Sequence, residues 1–153
     1  MLPPWTVHQL TTADVALLRG LNAMFGAAFE DPVSYGGQPP SDTYVEALLA
    51  KPHVIALAAI ANDEVIAGLV AYELPKFEQA RSEIYIYDLA VAVTHRRRGI
   101  ATSLIARLQE IAAPRGAWVI YVQADYVDPP AIALYEKLGV REEVLHFDIP
   151  VRT

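Results

Sequence analysis

The chain predicts an α/β (α+β mixed sheet) domain: strands and helices alternating around one sheet. Three observations carry this. Short runs rich in Val, Ile, Leu, Ala and Tyr recur between segments whose apolar residues fall at helical spacing. Clusters of Gly and Pro separate the two kinds of segment. The length of 153 residues, 54% of them hydrophobic, suits a single domain over 1–153 that buries about two thirds of its unfolded surface.

Each element has its own signal. Trp5–Gln9 reads as a short first strand. Thr11 or Thr12 is placed to cap a helix whose apolar positions are Val15, Leu18, Leu21, Phe25 and Phe29. Asp31–Pro40 holds Pro32, Gly36, Gly37, Pro39 and Pro40, and so reads as a loop. Ser41 caps a helix through Leu49, and Pro52 bars its continuation. His53–Ile60 and Val65–Glu73 form two strands joined at Asn62-Asp63, a hairpin signal, and Leu74–Ser82 is a polar connector. Glu83–Val93 is a long strand, followed by a basic turn and a helix from Gly99 to Ala112. That helix presents Leu104, Ile105, Leu108, Ile111 and Ala112 on one face, and Pro114-Arg115-Gly116 breaks it. Trp118–Ala124 is the next strand, Pro130–Leu138 a short helix stopped at Gly139, and Val144–Ile149 a closing strand. The predicted order is β-α-α-β-β-β-α-β-α-β.

Composition excludes several classes of function. Zero cysteines remove disulfides, thiolate metal sites and cysteine nucleophiles, and no metal centre is expected. A net charge of −6 opposes attraction to nucleic acid or anionic lipid and favours a cationic partner. Residues 1–88 carry eleven acids and four bases, whereas residues 89–153 carry seven acids and eight bases. The longest apolar run, Val54–Ala61, has eight residues against the roughly 20 of a membrane span. The first basic residue is Arg19, so a basic signal-peptide start is missing. The expectation is a soluble, cytoplasmic protein without nucleic-acid or membrane partners.

The chemistry concentrates in Leu89-Ala90-Val91-Ala92-Val93-Thr94-His95-Arg96-Arg97-Arg98-Gly99-Ile100-Ala101-Thr102, a strand that runs through a turn into a helix. Such a turn gathers backbone N–H groups at a helix N-terminus and suits phosphate or pyrophosphate. Gly99 and Ala101 leave room for the anion, and Arg96, Arg97 and Arg98 add charge-assisted hydrogen bonds. Neither the nucleotide triphosphatase loop nor the dinucleotide-binding glycine pattern is present. On the residues alone, three arginines read equally well as a solvated basic turn.

Arg96-x-x-Gly99-x-Ala101 after an apolar strand resembles the acetyl-coenzyme A signature of the GNAT superfamily of N-acetyltransferases. About 30 residues later, Asp128-x-x-Ala131-Ile132-Ala133-Leu134-Tyr135-Glu136-Lys137-Leu138-Gly139 resembles that superfamily's second block. Lys76–Val91, Val119–Tyr126 and Arg141–Ile149 are similar to the GNAT-type aminoglycoside 3-N-acetyltransferases. The chain departs from the superfamily in having Asp128 where Asn is frequent and Val140 where Phe is frequent.

The resemblance implies a mostly antiparallel sheet flanked by helices, with a cleft splayed between its two central strands. It implies direct acetyl transfer from acetyl-CoA to the 3-amino group of an aminoglycoside, antibiotic resistance, and a homodimer. Leu89, Ala90 and Val91 would hold the pantetheine arm. Arg96 to Thr102 would hold the pyrophosphate, with Asp128, Ala131 and Tyr135 contributing to the cofactor site. Tyr135 would protonate or orient the departing sulfur, although a tyrosine there also reads as core filling.

The amine must be neutral to attack, which calls for a carboxylate or a water chain. Asp88 is the first candidate, inside an otherwise apolar run that would raise its pKa, and a hydrogen bond to a neighbouring backbone is its alternative role. Asp125 is second and Glu83 third. Glu83, Tyr87, Asp88, Asp125, Tyr126 and Glu142 would together meet a polycationic acceptor, and the Tyr35–Pro40 segment is a candidate cleft wall. Another amine, such as a polyamine or amino sugar, and a non-catalytic acyl-CoA-binding module are the alternatives.

Overall fold

Asn62 and Asp63 both sit in the left-handed region, at φ 51° and 63°, where their short polar side chains are tolerated. Two such residues make the tight turn that matches the twist of paired strands. They join β2 (Val54–Ala61) to β3 (Glu64–Pro75). β1 (Thr6–Gln9) adds to β2, and β4 (Ser82–Val91) adds to β3, all antiparallel. A crossover through α4 (Ile100–Ala112) then brings β5 (Ala117–Val122) parallel to β4. The five strands lie in chain order.

The computed structural model describes residues 3–153, which form two compact units meeting in sequence at Gln123 and Ala124. In the first unit the sheet is buried on both faces. Ala56 and Ala58 pack with Leu18, Leu21, Met24 and Phe25 of α1 (Val15–Ala28) and with Val45 of α3 (Asp42–Leu49). Ile55, Leu57, Leu69, Ala71, Ile84 and Ile86, on the other face, are also buried. The apolar stripe of α4, Leu104, Ile105, Leu108 and Ile111, covers them.

Three local features differ from expectation. Asp14, not Thr11 or Thr12, is the N-cap of α1, and its carboxylate accepts the Thr11 N–H at 2.7 Å. The Asp31–Pro40 segment is not all loop. Asp31 accepts the Ser34 N–H at 3.1 Å, Pro32 supplies a fixed φ, and α2 (Pro32–Gly36) makes one short helix. A cap and a proline outweigh the nearby glycines.

The third difference lies in the second unit. There α5 (Pro129–Leu138) starts where Asp128 accepts the Ala131 N–H at 3.3 Å, and the Gly139 N–H closes on the Tyr135 carbonyl. Residues 140–153 form no strand, so the expected closing strand over Val144–Ile149 is absent. A strand exists only where a neighbour supplies backbone partners, and no ladder reaches this segment among the described residues.

One glycine fixes how closely α1 approaches the sheet. A Cβ on Gly68 of β3 would lie 2.9 Å from the Leu57 carbonyl oxygen and would run into the Leu21 side chain. Overpacking of this kind costs about 1–3 kcal/mol. Gly68→Ala is expected to lower the thermal midpoint by several degrees, measured by calorimetry; an unchanged midpoint would show that α1 yields freely.

Candidate active site

The β3–β4 register holds the geometry of the site. Ala71 pairs with Ile86 and Val70 pairs with Asp88, so Tyr87 is an extra residue bulged out of β4. Side chains alternate along a regular strand. Without the bulge, Asp88 would share the face of Ile84 and Ile86 under α4. With it, Asp88 turns to the α1 side, onto the face of Val70.

There Asp88 lines a pocket of about 190 Å³ with Leu18 and Asn22 of α1, Tyr44 and Leu48 of α3, and Tyr72 of β3. The Tyr35 hydroxyl, delivered by α2, donates to an Asp88 carboxylate oxygen at 2.7 Å. Tyr35 is itself held by Phe25 and Phe29, with ring centroids 5.8 and 5.6 Å away. Burial pushes the Asp88 carboxyl pKa up, and the Tyr35 hydrogen bond opposes that shift. Burial, and then the neighbouring Asp88 charge, push the Tyr72 hydroxyl up. An acidic group facing tyrosines in a small cleft can accept a proton from, and hold, a cationic amine.

Beyond Asp88 the strand leads to the turn. β4 pairs with β5 only from Ser82 to Ile86, so Tyr87–Val91 keeps one backbone edge open. An amide-containing chain can add there as a strand would. The strand then passes through the turn to α4. Gly99 sits at φ 79° with no atom within 4 Å of where a Cβ would stand. It is the N-cap of α4 and makes no side-chain cap bond, which leaves the first-turn N–H groups of Ile100, Ala101 and Thr102 for a ligand. The three arginines are not equivalent. Arg96 folds back so that its Nε donates to the Val91 carbonyl at 3.1 Å. Arg97 adopts φ 63°, and Arg97 and Arg98 are exposed beside the helix start. The open strand edge, the bare glycine and the free N–H groups fit a pantetheine arm ending in a pyrophosphate.

The remaining predicted residues divide between the two units. Glu83 pairs with Lys76 at 3.0 Å, five residues before Asp88 and so about 16 Å down the strand. Tyr87 is 62% exposed and packs edge-on to Tyr72 and Tyr85. Asp125, Tyr126, Asp128, Ala131, Tyr135 and Glu142 belong to the second unit. Within it, Asp128 is the α5 cap, and the Tyr126 hydroxyl donates to Glu143 at 3.0 Å. Asp125 and Glu142 are exposed. Tyr135 is half-buried, and its hydroxyl is pushed up to about 12, by burial first and the Asp128 charge second. Tyr44 and Tyr72 were missed by sequence reasoning, and Tyr35 was seen only as part of a wall. The Phe25, Phe29 and Tyr35 aromatics within one 11-residue stretch were the available signal.

A strand edge that opens toward a helix N-terminus without a side-chain cap, beside a carboxylate pocket, can accommodate an extended, polyphosphate-bearing ligand next to a titratable group. The profile of the Acetyltransferase (GNAT) family matches residues 21–140, and the chain belongs to that family. Among curated relatives, it is 33% identical over 86 residues to an N-alpha-acetyltransferase of Saccharolobus solfataricus, covering 49% of this chain and 52% of that one. It is 31% identical to a streptothricin acetyltransferase of Streptomyces lavendulae, over 53% of this chain and 41% of that one. The chain thus spans about half the length of the curated relatives it matches.

Solved structures align more fully. One is an aminoglycoside acetyltransferase from an uncultured soil metagenomic sample, 61% identical with a TM-score of 0.95, covering 97% of this chain and 99% of that one. Another aminoglycoside acetyltransferase from such a sample, in complex with sisomicin, is 26% identical with a TM-score of 0.89 and 97% coverage of both chains. The five-stranded mixed sheet with its open β4–β5 junction is the GNAT fold.

Ionised Asp88 costs stability, because its pKa is raised above the unfolded value. The neutral form is favoured below the unfolded pKa, and stability is lost as pH rises through the folded one. Asp88→Asn keeps an acceptor for Tyr35 and carries no charge. Its melting temperature relative to the parent is expected to rise as pH increases above about 4, the ordinary aspartate value, until Asp88 of the parent is fully ionised. A difference that stays flat across this window would overturn the assigned shift.

Proposed function

We propose that the chain is an acetyl-CoA-dependent N-acetyltransferase acting on the 3-amino group of an aminoglycoside, and that antibiotic resistance follows from this reaction. The observation that carries the reading is Asp88, a carboxylate turned by a bulge into a tyrosine-walled pocket at the head of an open strand edge. Acetyl-CoA supplies the activated acyl group. Asp88 takes the proton of the substrate ammonium, directly or through a water. The amine nitrogen then bonds to the acyl carbon as the C–S bond breaks. Backbone N–H groups of Leu89–Val91 polarise the acyl oxygen. Gly99–Thr102 with Arg97 and Arg98 hold the pyrophosphate. Tyr135, the position the family resemblance assigns to the departing sulfur, supplies the proton that sulfur takes, and the second proton, shed by the nitrogen as it becomes an amide, restores the phenol through solvent.

Three observations support an aminoglycoside acceptor. The acid excess of residues 1–88 suits a polycation. Tyr44 and Tyr72 line the pocket and offer ring faces and hydroxyls to sugar-linked amines. The two aligned metagenomic structures are of aminoglycoside acetyltransferases, one with sisomicin bound.

Thiol release with gentamicin, sisomicin and spermidine, followed by NMR of the product, tests this. Turnover is expected with the aminoglycosides, and the acetyl group on the 3-amino nitrogen. Turnover of spermidine alone would move the acceptor to a polyamine. Coenzyme A binding with no turnover of any amine would make the protein a binding module.

Arg98→Ala and Gly99→Asp are expected to weaken coenzyme A binding about tenfold to hundredfold in titration calorimetry, the worth of one charge-assisted bond. Unchanged affinity in both would refute the phosphate site. Tyr35→Phe removes the donor that holds the Asp88 pKa down. The acid limb of its kcat/KM profile therefore moves to higher pH, with the rate recovering on the alkaline side. A uniform loss at every pH would instead make Tyr35 a packing residue.

A further inference from the structure

The pocket that holds Asp88 is small. Its volume of about 190 Å³ falls below the roughly 300–1,000 Å³ of sites that enclose a small molecule. A second cavity, of about 370 Å³, adjoins it between α1 and α2. Asn22 lines both cavities, and Tyr35, which lines the second, puts its hydroxyl 2.7 Å from Asp88 in the first. Ala23, Gly26 and Ala27 of α1 and Pro32 of α2 give this groove apolar walls. Glu30 alone among its lining residues is charged.

Glu30 stands there against local preference. The helix α1 ends in a Schellman turn, in which the Asp31 N–H donates to the Gly26 carbonyl at 2.9 Å and the Glu30 N–H to the Ala27 carbonyl at 3.3 Å. Its penultimate residue must take a left-handed backbone. Glycine does so at no steric cost, but here Glu30 holds φ at 54°. A carboxylate at this end of a helix also faces the negative pole of the helix dipole. Neither cost is offset locally. Among the described residues the Glu30 carboxylate makes no ion pair, whereas the adjacent Asp31 carboxylate accepts the Ser34 N–H. A local rule broken without a local gain marks a residue held for contact with something else.

We propose that Glu30 anchors a second ammonium of the acceptor, and that the α1–α2 groove holds the ring bearing it while the reacting amine lies at Asp88. Given the acetyl transfer proposed above, on which this anchor rests, the acceptor narrows to a molecule of linked, amine-bearing rings. A carboxylate in each of two adjoining cavities favours acceptors whose amines span both. A single ring reaches only one of them, so the discrimination arises in binding.

Steady-state kinetics with two acceptors tests the anchor. Sisomicin carries amines on linked rings, and 2-deoxystreptamine is the single ring that bears the 3-amino group. Glu30→Gln keeps the shape of the side chain and removes its charge. It is expected to lower kcat/KM for sisomicin about fivefold more than kcat/KM for 2-deoxystreptamine, the worth of an exposed ion pair. The excess lies in KM and fades at high salt. Glu30→Gly is expected to discriminate in the same way while its thermal midpoint rises by about 2–4 °C, because glycine relieves the left-handed backbone. An equal loss for both acceptors, or no loss, overturns the anchor and leaves the acetyl transfer standing. A midpoint that falls in Glu30→Gly would make the residue structural and overturn it as well. A parent that turns over neither acceptor removes the proposed function, and the anchor with it.

Discussion

One extra residue in β4 governs the site. The sheet is buried on both faces, so each strand residue is assigned to α1 and α3 or to α4 by alternation alone. At Tyr87 that alternation slips by one position. Ile84 and Ile86 stay under α4, while Asp88 turns to the opposite side, where Tyr35, Tyr44 and Tyr72 stand. The same stretch of strand loses its β5 neighbour after Ile86. Pocket carboxylate, open edge and helix N-terminus thus follow one another along 15 residues of chain, positioned by backbone hydrogen bonds rather than by flexible side chains.

Most of the fold was legible because it rests on local signals. The apolar runs of β2 and β3 with Asn62-Asp63 between them, and the stripe of α4, predict their elements to within two residues. Asp31–Pro40 was harder to read. Proline and glycine density reads as loop, and only the pairing of Asp31 with Ser34 reveals the short helix that delivers Tyr35. The tail failed for the opposite reason. Its two-residue period describes an extended conformation, but period says nothing about who supplies the ladder.

The pocket and turn that form the candidate site were half legible. Asp88 stands out as a carboxylate inside an apolar strand, and Gly99 as a glycine between a basic run and a helix. Which way Asp88 faces was not readable, because regular alternation from Ile84 and Ile86 puts it on the wrong side. Tyr44 and Tyr72 escaped for the same reason: helix and strand tyrosines look alike until the register between their elements is known. The arginine triplet looked uniform in sequence, yet one member ties down the end of its own strand.

The hydrogen bond from Tyr35 to Asp88 has a thermodynamic corollary. Burial raises the carboxyl's proton affinity, and a neutral hydroxyl offsets that only in part. An ammonium entering the pocket stabilises the anion far more strongly than a phenol does. Under the proposed function, ligand binding and proton release are therefore linked at this one group. Across the pH interval between the free and the bound pKa, each cation that docks displaces a proton. Its apparent affinity rises with pH there without any movement of the backbone, and its heat of binding varies with the ionisation enthalpy of the buffer.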